Sequence, residues 1–372
     1  MLLFLLFSCV WVEVVRMNKM LALALLLLIV GCGVSGEVVR SEKIKIGGLF
    51  HLTGAGAFWG ESERLGASLA LAERNVSYVD FIVEDCETSF PKTVTAVKKL
   101  ISFDDVDFII GPTWFGQIAS GLAKDHSTVF VSPSSGLVTI PSKYYFNLWS
   151  TTDQEVKPVV DHMDFMNLSQ VVVVYNQNDW AEEIKNSFVK FALNENITVV
   201  EVFAVDTYED DYRSVVTKIK SLNVDAVFGA FAYYPPQGQF TRQAKELGLL
   251  DSVMLYATSN TETPSLLEEY PEVEGTYYPY PVVEDSSLEF SSNFEEYYSK
   301  KPSPSAAYAY DAMNLLLDAI EFGCVESECV SSYLSSVSYS GVTGDVSFEN
   351  SSREEKSFEI KKVDNNAFIG FR

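Results

Sequence analysis

The sequence predicts an α/β protein of two doubly wound lobes, and three observations carry that reading. From Lys43 onward, β-branched runs alternate with helical periods, the mark of parallel strands joined by crossover helices. The series runs to about residue 135, breaks, and starts again near Ser169. At 372 residues, 47% of them hydrophobic, the chain is long enough to bury two cores.

The elements follow in order. "KIKIGGLF" reads as a strand and "ESERLGASLALAERN" as an amphipathic helix. "YVDFIVED" is a strand, "PKTVTAVKKLISF" a helix opened by proline, and "VDFIIGP" a strand. "GQIASGLAKDH" is a helix and "TVFVSPSS" a strand. After "NLWSTTDQEVKP" the second series begins with "SQVVVVYNQ", then the helix "WAEEIKNSFVKFALNEN" and the strand "ITVVEVFAV". It continues through "DYRSVVTKIKSLN", "VDAVFGAF", "GQFTRQAKELGL" and "DSVMLYATS" and is complete by about residue 280. The remainder is too thin for a third domain. "SAAYAYDAMNLLLDAIEFG" is one long helix, and "GDVSFEN" and "KSFEIKKVDNNAFIGF" are short strands, so the chain is expected to return to lobes already built. The expected division is 43–153 with 282–355 for lobe 1, and 154–281 with 356–372 for lobe 2.

The net charge of −24 argues against a nucleic-acid partner, which would need a basic footprint. Three histidines, His51, His126 and His162, are scattered without metal-ligand spacing, so neither a metal nor a cofactor is expected. Residues 17–32, "MNKMLALALLLLIVGC", have a lysine, an apolar run too short to span a bilayer, and small residues before a cysteine. Residues 1–31 are therefore read as a signal peptide whose true start is Met17 or Met20. "IVGC" resembles a lipobox, which makes Cys32 the lipidated mature N-terminus and 32–42 a tether to the membrane. In an exported protein Cys324 and Cys329 of "CVESEC" are expected to close a small disulfide loop. Cys86 is then unpaired, a small buried residue beside a strand end.

The stretch "GLFHLTGAGAFWGESE", residues 48–63, lies where a dinucleotide loop would. Its glycines 54, 56 and 60 are spaced one residue off that fingerprint, and no Walker lysine follows. Phe58 and Trp59 place bulky rings where a pyrophosphate needs close backbone approach. Rings at such a turn suit an organic ligand better.

"KIKIGGLFHLTGAGAFWGESERLGASLALAE" resembles the opening of the type I periplasmic binding proteins that serve branched-chain amino acid ABC transporters. "VEDCETSFPKTVTAVKKLI", "FIIGP", "VFVSPSS", "DAVFGAFAYYPPQGQFTRQAKELGL", "PSAAYAYDAMNLLLDAI" and "GVTGDVSFEN" follow in the family's order, from about Lys43 to the C-terminus. The resemblance to these leucine/isoleucine/valine-binding proteins implies two Rossmann-like lobes joined by three crossovers, closing by a hinge on one small ligand. It implies a monomeric binding protein, not an enzyme, which presents its solute to an ABC permease.

It also implies a set of ligand contacts. Trp59 stands at the family's first-loop aromatic. Where a serine usually meets the ligand carboxylate, this chain has Phe115, with Trp114 before it. Ser134 and Ser135 follow "VSP", and Gly136 takes the place of a threonine. Trp180 and Tyr233 match the ring positions of the second lobe. Thr258 or Ser259 stands where an acid usually pairs with the α-ammonium, and the nearest acid is Glu262. The pattern favours a solute with a flat or cationic apolar body over a free α-amino acid; a leucine-like ligand stays open if Glu262 turns in. Asp311 in "YAYDAMN" is read as helix and hinge structure. The alternative function is a sensor domain of the same fold; it would need a membrane link and an output domain, and the few residues after the last strand favour transport.

Overall fold

Both β series form, and each builds its own sheet. The structure, a computed structural model, describes residues 43–136, 141–282, 286–349, 352–353 and 356–370. The signal peptide, Cys32 and the tether lie outside them. Residues 44–372 make one contact unit.

In the first lobe β1 (Ile44–Phe50), α1 (Ala57–Arg74), β2 (Val79–Asp85), α2 (Phe90–Ser102), β3 (Phe108–Ile110), α3 (Gly116–His126), β4 (Val129–Ser132) and β5 (Tyr145–Asn147) alternate. In the second, α4 (Thr152–Phe165) leads into β6 (Gln170–Asn176), α5 (Asp179–Ala192), β7 (Thr198–Val205), α6 (Arg213–Ser221), β8 (Ala226–Ala230), α7 (Tyr234–Glu246), β9 (Met254–Tyr256), α8 (Pro264–Glu269) and β10 (Tyr277–Pro281). The chain then adds α9 (Ser286–Tyr298), α10 (Pro304–Glu321) and α11 (Ser327–Leu334). It ends in β11 (Tyr339–Gly341), β12 (Gly344–Val346), β13 (Phe348–Glu349), β14 (Ser352–Arg353), β15 (Phe358–Asp364) and β16 (Ala367–Gly370).

The first sheet has the order β13-β14-β5-β4-β3-β1-β2 and the second β16-β15-β10-β9-β8-β6-β7. The five strands of each βα series pair in parallel. The late strands complete both edges: β14 runs parallel to β5, and β15 antiparallel to β10. The chain therefore passes between the sheets three times: after β5, after β10 and between β14 and β15. Lobe 1 takes its strands from 44–147 and 348–353, lobe 2 from 170–281 and 358–370.

Helices cover both faces of each sheet, which is why the strands read as unbroken apolar runs. In β3, Phe108 and Ile110 face the α10 side while Ile109 faces α2 and α3. In β6, Val171 and Val173 pack toward α4 and α5, and Val172 and Val174 toward α6 and α7. Asp311 on α10 is buried and accepts hydrogen bonds from Val342 N (3.0 Å), Thr343 N (2.9 Å), Thr343 Oγ1 (2.6 Å) and Tyr339 Oη (3.2 Å). It fixes the β11–β12 hairpin to the helix. Cys324 and Cys329 are joined in a disulfide with Cα atoms 5.2 Å apart. Cys86 is buried, its thiol against the Phe50 carbonyl (3.1 Å) and pushed up by burial to about 12.

Several elements differ from the sequence reading. α1 begins at Ala57, so Phe58 and Trp59 belong to a helix and not to a loop. β5, α4, β10, α8, α9 and α11 were not expected. α4 contains Pro158, which removes one helical donor and argues against a helix there. It forms because Thr151 and Gln154 make a reciprocal capping box, Gln154 N donating to Thr151 Oγ1 (3.3 Å) and Thr151 N to Gln154 Oε1 (2.9 Å).

Candidate functional site: a cavity walled by rings

The C-terminal ends of both parallel sheets converge on one cavity of about 600 Å³. That is where open α/β sheets bind ligands, because the helices leaving in opposite directions part there. Seven of its lining residues are aromatic: Trp59, Phe90, Trp114, Phe115, Trp149, Trp180 and Tyr233.

The lobe 1 wall is dense and internally bonded. Glu63, in α1, is fully buried, with Thr113 Oγ1 donating to its Oε2 (2.6 Å) and the Ser134 hydroxyl against its Oε1. The Ser134 hydroxyl also lies 2.7 Å from the Thr113 carbonyl oxygen. The Ser134 hydroxyl therefore has two acceptors within reach, Glu63 Oε1 and the Thr113 carbonyl oxygen. Burial pushes the Glu63 carboxyl up to about 8, against the hydrogen bonds from Ser134 and Thr113. Ser132 and Ser135 hydroxyls crowd the Pro112 carbonyl at 2.8 and 3.1 Å and lie 2.9 Å from each other. Below them Trp59, 4% exposed, packs edge-on against Trp149 at 5.9 Å.

Phe115 precedes α3 in the left-handed region, at φ 64°. Its ring and that of Trp114 enclose His51, at 5.3 and 5.1 Å. Neither His51 nitrogen has a hydrogen-bond partner among the described residues, and burial drops its pKa to about 3, so the ring is neutral.

The lobe 2 wall sits on short loops. Asn178 caps α5 by accepting from Ala181 N (3.0 Å), which sets Trp180 in the first turn, half-buried at the cavity. Tyr233 precedes the prolines that open α7; its ring lies 5.5 Å from Trp114 across the cleft and stacks on Tyr208 at 6.2 Å. Asn260 Nδ2 donates to the carbonyls of Phe231 (3.3 Å) and Ala232 (3.1 Å), tying the loops after β8 and β9 together. From α4, Glu155 reaches the same end: it is 2% exposed and accepts from Ser259 N at 2.9 Å. Burial pushes its carboxyl up from the usual range, opposed by hydrogen bonds from Ser259 and the Trp149 indole.

Of the residues proposed from sequence, Trp59, Trp114, Phe115, Ser134, Ser135, Gly136, Trp180 and Tyr233 line the cavity. Trp59 does so as part of the lobe 1 core. Gly136 leaves room for the second lobe, since a Cβ there would stand 3.2 Å from Trp180 Nε1. Thr258 does not line the cavity: it is 1% exposed, with its hydroxyl 3.4 Å from the Phe231 carbonyl, while Ser259 and Asn260 face the space. Glu262 does not turn in, because it is paired with Lys361 (2.6 Å) and accepts from Tyr278 Oη (2.9 Å). Sequence reasoning missed Glu155, Trp149 and Phe90. The capping box at Thr151 was the available signal for Glu155, since it places residue 155 in the first turn of a helix.

A family model described as periplasmic binding protein matches residues 43–364. The leucine-, isoleucine-, valine-, threonine- and alanine-binding protein of Pseudomonas aeruginosa is 22% identical over 334 residues, 85% of this chain and 88% of that protein. Among solved structures, the branched-chain amino acid transporter substrate-binding protein LivJ of Streptococcus pneumoniae, in complex with isoleucine, superposes with a TM-score of 0.79 at 21% identity, covering 88% of this chain and 98% of that one. An R. palustris ABC transporter solute-binding protein in complex with 4-hydroxybenzoate gives 0.81 at 19% identity, covering 89% and 96%.

Proposed function

The chain belongs to the periplasmic binding protein family, and on that premise we propose that it is the solute-binding subunit of an ABC importer. The observation that carries the reading is the ring-walled cavity of about 600 Å³ to which both lobes contribute. A solute that touches both walls at once stabilises the closed arrangement more than the open one, and the closed form is the state a permease can select. The solute is an amino acid or a related small organic molecule with an apolar body, gripped between Trp180 and Tyr233 of lobe 2 and the lobe 1 wall. No bond is made or broken. Cys32 carries lipid and anchors the mature, monomeric protein to the outer face of the membrane, where Cys324 and Cys329 oxidise.

A thermal-shift screen of amino acids, amides, aromatic acids and amines tests the binding role. A true ligand at roughly a hundred times its Kd should add about 2.7 kcal/mol of stability. Trp180→Ala should cut that gain by about half or more, while the surface change Glu209→Ala should keep it; a screen with no stabilising solute would count against import. For the anchor, Cys32→Ser should release the protein from membranes, and unchanged fractionation and mass would remove the lipid from the account.

A further inference from the structure

The charge around the cavity is one-sided. Among the described residues its lining contains two carboxylates, Glu155 and Asp179, and no lysine, arginine or histidine. Asp179 is exposed, so water screens it; Glu155 is not. The other buried acids have settled environments away from the open space. Asp311 holds the β11–β12 hairpin, Glu262 is neutralised by Lys361, and Glu63 closes a hydroxyl network behind Ser134. Glu155 alone of these edges the cavity, and among the described residues only hydrogen bonds from Ser259 and Trp149 oppose the burial of its carboxyl.

We propose that the solute carries a positively charged nitrogen, ammonium or quaternary, and that Glu155 is the carboxylate that receives it. The inference rests on the solute-binding reading above and narrows it. Ser259, through its N–H and its side chain, and the Trp149 indole take three of the roughly four acceptor directions of the carboxylate, so one remains for a ligand. A buried carboxylate without a countercharge is unfavourable, and a cation entering beside it removes that penalty. The half-buried faces of Trp114, Trp180 and Tyr233 suit the same charge through cation–π attraction. Here an anion would meet no basic side chain among the described residues. The hydroxyls of Ser134 and Ser135 lie on the Thr113 and Pro112 carbonyls.

The test uses the full chain and calorimetric titration of two matched series. Choline is compared with its neutral isostere 3,3-dimethylbutanol, and tyramine with neutral 4-ethylphenol and anionic 4-hydroxyphenylacetate. In at least one series the cation should bind about tenfold or more tighter than its uncharged and anionic counterparts. Glu155→Gln keeps an oxygen for Ser259 N; it should weaken the cation about tenfold and leave the neutral member within about twofold. The wild-type comparison needs no variant, so it decides the matter even if Glu155→Gln folds poorly. A neutral or anionic member binding as well as the cation, no cation binding in either series, or full cation affinity in a folded Glu155→Gln would each overturn the proposal. If in those cases another solute still stabilises the chain and loses its effect in Trp180→Ala, the solute-binding reading stands without the cation.

Discussion

The two lobes repeat one strand order, 2-1-3-4-5 followed by two late strands, yet they meet the cavity in opposite ways. Lobe 1 offers a wall already saturated with its own hydrogen bonds, in which Glu63, Thr113, Ser134 and Ser135 are 6% exposed or less. Lobe 2 offers half-buried rings at the first turns of α5 and α7, held by asparagine side chains on short loops. Topology places a site, and loop residues decide what it holds. Here lobe 1 joins a hydrogen-bonded wall to the rings of Trp114 and Phe115, while lobe 2 brings its rings on short loops.

Paired truncations should break that contrast most visibly. Trp59→Ala empties a packed position between α1 and Trp149 and should cost about 3–5 kcal/mol in denaturant unfolding. Trp180→Ala should cost under about 1 kcal/mol of stability but weaken the solute about tenfold or more, read by calorimetry. The reverse pattern would exchange the roles of the lobes. Glu63→Gln tests the saturated wall through pH. Its carboxyl has a folded value of about 8 against an ordinary 4.5, so between those values the folded state holds a proton that the unfolded state has lost. That stability is fully present below about pH 4.5 and declines as pH rises toward 8. Melting scans across this window should fall with pH in the wild type and be flatter in the variant.

Phe115→Gly sharpens the comparison at one residue. It relieves a left-handed backbone costing about 1–2 kcal/mol, partly offset by glycine's added unfolded-state freedom. Stability should change by under about 1 kcal/mol while affinity falls with the lost ring. Smallest of all, Gly136→Ala places a methyl 3.2 Å from Trp180 Nε1. The ligand-free melt should hold within about 0.5 kcal/mol, and affinity should fall only a fewfold because the indole must shift across the closing cleft.

The alternating series and the restart near Ser169 were legible because buried parallel strands leave unbroken apolar runs, and the return of the C-terminal strands because the remainder is too thin for a third domain. Trp180 and Tyr233 were legible as rings just after strand ends. What escaped was set by tertiary context. The three residues of β5 carry too little period to register, and Pro158 hid α4 despite its capping box. With α4 hidden, Glu155 had no address, and the search for an acid stayed on the β9 loop, where Thr258 faces inward and Glu262 serves Lys361. Trp59 looked like a loop ring because its helix starts four residues earlier than the amphipathic pattern suggests.

The late strands also set an order of events. Ser352 of β14 must find Asn147 of β5 across about 200 residues, and Phe358 of β15 pairs with Pro281 of β10. Closing the longer span costs only slightly more entropy than closing a short one, but contacts of such separation form slowly. Neither sheet can be completed until the final segment of the chain is available, so a growing or threading chain stays incomplete in both lobes at once. A chain stopped near residue 343 would present β5 and β10 as two unpaired edges, each a template for another copy, and should aggregate instead of surviving as one finished half.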